Sequence, residues 1–357
     1  HRIWSNITDT RMHITGGLGA VHGIEGFGPQ FLLPNADAFN ETCAAVGNVL
    51  FNFRMFLAHK DAKYLDVAEV SLLNNVLAAV NLEGNKFFYV NPLEADGKYP
   101  FNHGTMGRAP WFGTACCPSN MARLLPQVQG MTYAHDDRNL YLAMYAETST
   151  ELDIGGSRLA ISQTTEYPNK GRIEVSLDPQ KPASFKLHLR IPTWVGEQFV
   201  PGKLYRYLNP SSETWKLSVN GESVSSKTEL GFATVDREWK KGDKVLLELP
   251  MPLRLNRCDE RVEENHHRLA FTRGPFVLCA EAIDNDGATQ RFYLDPKPTI
   301  DKASLSKVSL PAGSFLKATT QSNALTESGK SEKRSLSLVP YYAWNNRKPG
   351  SMTIWFP

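Results

Sequence analysis

The spacing of apolar positions changes once along the chain. Up to about Tyr133 the period is helical: Ala44, Val46, Leu50, Phe53 and Leu57 recur at near-helical intervals, and Leu65, Ala68, Leu72, Val76 and Ala79 do so again. Lys60, Asp61 and Ala62 form a short polar joint between these runs, which predicts a helical hairpin. Pro118 suits a first helical position, with Met121, Leu124, Leu125 and Val128 following at i, i+3, i+4 and i+7 and Gly130 ending the helix. The opening pattern of Trp4, Ile7, Met12 and Ile14 has no N-terminal cap before it. The chain therefore reads as the C-terminal portion of something longer.

From about Asn139 the period becomes two. Leu140, Leu142 and Met144 alternate with other residues, as does the segment from Phe185 to Ile191. Asn220-Gly221 between Leu217/Val219 and Val224 is a hairpin signal, and Lys241-Gly242-Asp243 precedes a strand from Val245 to Leu249. A strand-rich stretch from Arg268 to Ala282 gives way to a Ser/Thr/Lys segment from Pro296 to Arg334. A polar turn, Asn345 to Gly350, then separates two aromatic-rich strands. Helices followed by many short strands predict a multidomain α plus β protein, an α region followed by β-sandwich material.

Composition narrows the function classes. Of 357 residues, 41% are hydrophobic and 21% charged, which is globular rather than disordered. Lys plus Arg total 39 against 37 Asp plus Glu, and no block of like charge stands out, so no nucleic acid partner is expected. The longest apolar stretch, Leu72 to Val80, is broken by Asn74 and Asn75, so no membrane span is expected.

Five cysteines, Cys43, Cys116, Cys117, Cys258 and Cys279, do not read as a disulfide framework. Cys258 and Cys279 lie singly in strand-like surroundings and read as small core residues. Adjacent Cys116 and Cys117 cannot pair without strain, and they sit where a helix begins. Unpaired N–H groups and the dipole there favour thiolate, which makes a good metal ligand or nucleophile. Glu41 and Cys43, near the start of another helix, bring the set to one carboxylate and three thiols, enough for a tetrahedral zinc site. The spacing matches no standard zinc finger, and three reduced, half-buried thiols at helix ends would give the same pattern.

These residues resemble glycoside hydrolase family 127. The likeness lies in ITGGLGA (Ile14 to Ala20), Glu25 in GIEGFG, LPN (Leu33 to Asn35), ETC (Glu41 to Cys43) and CCPSNMARLL from Cys116. It continues through RVEENHHRLAFTRGPFVLCAE to YYAWNNRKPG near the end. Family 146 is closely related. The resemblance implies the C-terminal part of an (α/α)6-barrel catalytic domain over residues 1–134. It implies a β-sandwich over 135–253, completed by 340–357, and a second β-sandwich over 254–339.

The resemblance also implies a zinc-dependent retaining β-L-arabinofuranosidase, exo-acting on a carbohydrate substrate such as an arabinose-containing glycan. Cys116 would attack the anomeric carbon, and Glu25 would act as acid and then base, a role that requires its partial burial. Zn2+ would be held by Glu41, Cys43, Cys116 and Cys117, keeping thiols ionised at some cost in nucleophilicity and mainly orienting Cys116. Tyr89 occupies the place of a sugar-contacting tyrosine; packing is its plainer role. His103 and Trp111, close before the Cys116 turn, are candidates to line the pocket, as is His22 near Glu25, although a structural role serves all three. Gly16, Gly17 and Gly19 lack the Lys-Ser/Thr of a phosphate loop and read as a tight turn bringing Glu25 inward. An inactive carbohydrate-binding or structural zinc protein of the same fold is the competing reading. A homodimer is admitted. Zinc thiolates suit a bacterial cytoplasm, and metal-protected ones survive in a periplasm.

Overall fold

In a computed structural model the protein is described at residues 1–208, 211–287, 289–295, 298, 303–326 and 328–357. Among these, the α-helices all precede position 125: α1 (Arg2–Thr10), α2 (Thr42–His59), α3 (Ala62–Val70) and α4 (Cys116–Leu124). The predicted hairpin joins α2 to α3. Lys60 takes the left-handed conformation that ends α2, and the Asp61 carboxylate caps α3 by accepting from Lys63 N–H. α3 runs on into a π-helical turn, Ser71–Val76.

The buried face of α2 is rotated from the one its apolar periodicity predicts. Ala45, Asn48, Val49, Asn52 and Phe56 are buried, whereas Leu57 is 42% exposed and Leu50 and Phe53 are only half-buried. A ladder of amides explains this. Trp4 Nε1 donates to Asn52 Oδ1 (2.7 Å), Asn52 Nδ2 to Asn48 Oδ1 (2.8 Å), and Asn48 Nδ2 to Ser71 Oγ (2.9 Å) and the Gly16 carbonyl (3.1 Å). Satisfied in this way, two asparagines can occupy core positions that a hydrophobic count assigns to solvent. Gly16 lies at φ +75°, and a Cβ there would come 2.4 Å from Ser71 Oγ.

α4 begins at Cys116, so Pro118 is its third residue rather than its first. It stops at Leu124 because Pro126 has no N–H to continue the helical bonding, and a 3-10 turn, Leu125–Met131, carries the chain past Gly130.

Beyond position 132 strands dominate. One antiparallel sheet has the spatial order Thr148–Ile154, Ser157–Thr165, Arg172–Pro179, Asp243–Glu248, Lys216–Val219, Glu222–Ser223. A second runs Tyr133–His135, Asn139–Leu142, Ala183–Arg190, Phe232–Trp239, Thr228–Glu229, with Asn139–Leu142 parallel to Ala183–Arg190. The Asn220-Gly221 turn forms as expected, both residues at positive φ. Leu140, Leu187 and Leu189 of one sheet and Leu159, Val175 and Val245 of the other belong to one buried cluster.

The third sheet departs from expectation in three ways. The start of the Ser/Thr/Lys segment, at Pro296, lies outside the described residues. From Ser304 on, its described residues include paired strands, Ser304–Leu310, Gly313–Leu325 and Ser331–Pro340. The outer strand is largely solvent-exposed, so polar residues fit it as well as apolar ones. Residues 340–357 do not complete the 135–253 unit: Ser351–Thr353 pairs with Phe276–Glu281 and with Glu94–Asp96, and Trp355–Phe356 pairs with Leu269–Arg273. Before the polar turn, Tyr341–Ala343 is a 3-10 turn rather than a strand.

A buried ion cluster fastens α3 to the middle sheets. Arg190 Nη1 meets Asp66 Oδ1 at 2.7 Å and Arg190 Nη2 pairs with Glu69, all three side chains being almost wholly buried. Tyr167 Oη donates to Glu69 (2.7 Å), and Thr193 N–H donates to Asp66 (3.1 Å). No helix is long and apolar enough to cross a membrane among the described residues.

Candidate active site

Two helix starts bring the four donors together. Glu41 is the N-cap residue of α2 and Cys43 lies in its first turn, while Cys116 and Cys117 open α4. Ligand atoms of all four lie within 4.8 Å of one another. Cys43 Sγ is 3.4 Å from Cys117 Sγ, Cys116 Sγ is 3.9 Å from Cys117 Sγ, and Glu41 Oε1 lies 3.6 Å from Cys116 Sγ and 3.8 Å from Cys117 Sγ. A tetrahedral ion with arms of about 2.3 Å sets its sulfur ligands about 3.8 Å apart. The two sulfur–sulfur edges given, 3.4 and 3.9 Å, fall on either side of that figure, and the group can hold a metal ion.

The thiol electrostatics differ from the sequence expectation. Burial raises Cys116 above the ordinary thiol range despite its place at a helix start. Hydrogen bonding to Cys43, together with burial, pushes Cys117 far up. The same Cys117 bond lowers Cys43, helped by the Asn120 side chain. Among the three thiols the protein groups thus ease ionisation at Cys43 and oppose it at Cys116 and Cys117. A cation at the centre of the set would reverse that balance.

Tyr89 joins the cluster directly, its Oη 3.2 Å from Cys116 Sγ, and burial holds the phenol well above its usual range. His103, exposed and at positive φ, places its ring 4.4 Å from Tyr89 and 5.7 Å from Phe112. Trp111 is 63% exposed. His22 lies on the exposed loop and touches Phe39, whose ring is 6.1 Å from Tyr89. Glu25 sits at the tip of that loop, exposed and at φ 49°, so the partial burial its acid role requires is not supplied by this chain. Cys279 is a buried core residue and Cys258 a part-buried one, and all five cysteines are free.

Sequence reasoning missed the residues that hold Tyr89. Asn102, fully buried, accepts from the Tyr89 N–H (2.8 Å) and donates to the Phe87 and Gly107 carbonyls. Thr42 donates its hydroxyl to the Phe88 carbonyl (2.7 Å) and its N–H to the Tyr89 carbonyl (3.1 Å). The position of Thr42 between Glu41 and Cys43 was the available signal.

Comparison with known proteins places the chain. Models of the β-L-arabinofuranosidase GH127 catalytic domain, the GH127 middle domain and the glycoside hydrolase family 127 C-terminal domain match residues 1–130, 139–251 and 253–357. The chain belongs to glycoside hydrolase family 127. A non-reducing end β-L-arabinofuranosidase of Bifidobacterium longum subsp. longum is 31% identical over 99% of this chain and 54% of its own length. A solved GH127 β-arabinofuranosidase superposes with a TM-score of 0.92 at 39% identity, covering 99% of this chain and 55% of that one. A GH127 β-L-arabinofuranosidase from Geobacillus stearothermophilus T6 gives 0.86 at 31% identity, with 99% and 55% covered. The family 127 chain thus spans about half the length of these relatives.

Proposed function

We propose that the chain carries the reacting groups of a retaining glycosidase that releases terminal β-L-arabinofuranose or a related sugar from plant-type glycans. The convergence of Cys116 Sγ with Glu41, Cys43, Cys117 and the Tyr89 hydroxyl is the observation that carries this reading. Residues 1–134 would be part of an (α/α)6 barrel, with the sheets behind it as sandwiches.

In the first step Cys116 Sγ attacks the anomeric carbon while the bond to the departing oxygen breaks and Glu25 gives that oxygen its proton. Glu25, now a carboxylate, takes a proton from water. The water oxygen attacks the same carbon, and the carbon–sulfur bond breaks. Two inversions at one centre give retention. Zinc, held by Glu41, Cys43, Cys116 and Cys117, would keep the coordinated thiols ionised at neutral pH. Tyr89 Oη, 3.2 Å from Cys116 Sγ, would donate to the sulfur once it is ionised and so fix its direction, and His103 and Trp111 would be the sugar-contacting residues.

The test is hydrolysis of p-nitrophenyl β-L-arabinofuranoside. Cys116→Ser abolishes it, and Glu25→Gln lowers it by about 10²–10⁴-fold. Activity that survives Cys116→Ser removes the nucleophile assignment. The full burial of Cys117 favours a second reading, a structural metal centre without hydrolysis, in which the intact protein binds metal and sugar but releases no product.

A further inference from the structure

The segment 87–93 touches the elements that bear the four donors from one side and the C-terminal sheet from the other. On the site side, the Phe88 and Tyr89 carbonyls accept from Thr42, which lies between Glu41 and Cys43, and Tyr89 Oη reaches Cys116. On the far side, the Trp344 ring stacks on Phe88 at 5.2 Å and on Phe101 at 5.9 Å. The Arg108 guanidinium lies 4.3 Å from the Phe88 ring centroid, and Arg108 Nη1 donates to the Trp344 carbonyl (2.9 Å) and Nε to the Ala78 carbonyl (2.9 Å). Tyr341 Oη donates to the Pro92 carbonyl (2.8 Å), and the Ile354 N–H to the Leu93 carbonyl (3.1 Å). Glu94–Asp96 then pairs with Ser351–Thr353.

We infer that Trp344, together with Arg108, is a positioning residue for the metal-ligand set. The 341–354 stretch clasps the backbone of residues 88–96, and that backbone sets where Thr42 and Tyr89 hold Glu41, Cys43 and Cys116. Nothing in the clasp touches a donor atom; it acts through one layer of aromatic packing and two carbonyls. Groups bonded directly to metal ligands typically change affinity by about 10–100-fold when lost, which sets the ceiling for a clasp one layer further out. The inference rests on the four donors binding a metal, as proposed above, and is independent of the hydrolysis.

The experiment titrates the intact protein with Co2+ alone and reads the visible absorption of its thiolate complex. Trp344→Ala is expected to weaken Co2+ binding measurably, by no more than about 10–100-fold, and to alter the band shape, while Trp344→Phe, which keeps a stacking ring, restores both. Trp239→Leu, which removes the indole's bond to the Phe185 carbonyl in the second sheet, is the control for lost stability and leaves Co2+ affinity unchanged. If Trp344→Ala does not fold, Trp344→Leu takes its place. Equal affinity and spectrum in the unaltered protein and the folded Trp344 variant overturn the inference alone. A loss of affinity shared by Trp239→Leu also overturns it. Absence of Co2+ binding by the unaltered protein overturns the metal reading and this inference together.

Discussion

Replacing Arg190 with Met tests whether the buried ion cluster is what fastens α3 to the middle sheets. Arg190 supplies four contacts there: Nε to the Ala143 carbonyl (2.8 Å), Nη1 to Asp66 and to Glu69, and Nη2 to Glu69. Its loss leaves two carboxyls buried against each other, with Tyr167, Thr193 and Trp194 as their donors among the described residues. Uncompensated buried charge of this kind costs about 3–5 kcal/mol. The cost depends on pH, with a definite sign. Burial already lifts Asp66 above the usual carboxyl range, and Arg190 is the main group pulling it back. Without Arg190 the folded-state value rises further. A carboxyl that binds its proton more tightly when folded loses stability as pH rises above its unfolded value. The slope approaches about 1.4 kcal/mol per pH unit. Urea denaturation followed by circular dichroism at pH 5 and pH 7.5 reads both quantities. The deficit of Arg190→Met is expected to be larger at pH 7.5, and Asp66→Asn with Glu69→Gln in the same chain should recover much of it. A deficit below about 1 kcal/mol, or one that shrinks as pH rises, refutes the reasoning.

Three further outcomes follow from the same structure. Cys43→Ala removes one of four donors, so elemental analysis should find bound metal near one per chain in the unaltered protein and a large loss in the variant. Burial lowers His13 to about 4, with its Nε2 against the Pro34 carbonyl. Stability linked to it is therefore full above pH 6.5 and falls between pH 6.5 and 4, and His13→Leu should flatten that limb in denaturation measured across the range. Gly16→Ala adds a Cβ 2.4 Å from Ser71 Oγ at φ +75°, and should cost about 1–3 kcal/mol in the same urea assay; an unchanged midpoint would mean that the turn adapts.

What could be read from sequence was local or chemical. The Lys60–Asp61 joint and the Asn220-Gly221 turn need only neighbouring residues, and both form. Glu41, Cys43, Cys116 and Cys117 advertise themselves as donors, although their meeting spans up to 76 positions and no spacing rule gives it. Asn48 and Asn52 misled the helical face because their amides are satisfied by each other, by Trp4 and by Ser71. The strands after Ser304 hid behind solvent-facing polar residues. Arg108 and Trp344 were invisible for a different reason: they work through carbonyls and ring faces across 236 positions, and neither residue type signals that role.

The contact between residues 341–354 and 88–96 also imposes an order of events during synthesis. Tyr341 meets Pro92 across 249 positions. At about 5–20 residues per second, the Tyr89 segment leaves the ribosome roughly 12–50 seconds before the stretch that clasps it. During that interval the thiols exist without the backing that sets their spacing. If the four donors bind a metal as proposed, their final spacing is set only once residues 341–354 have been made.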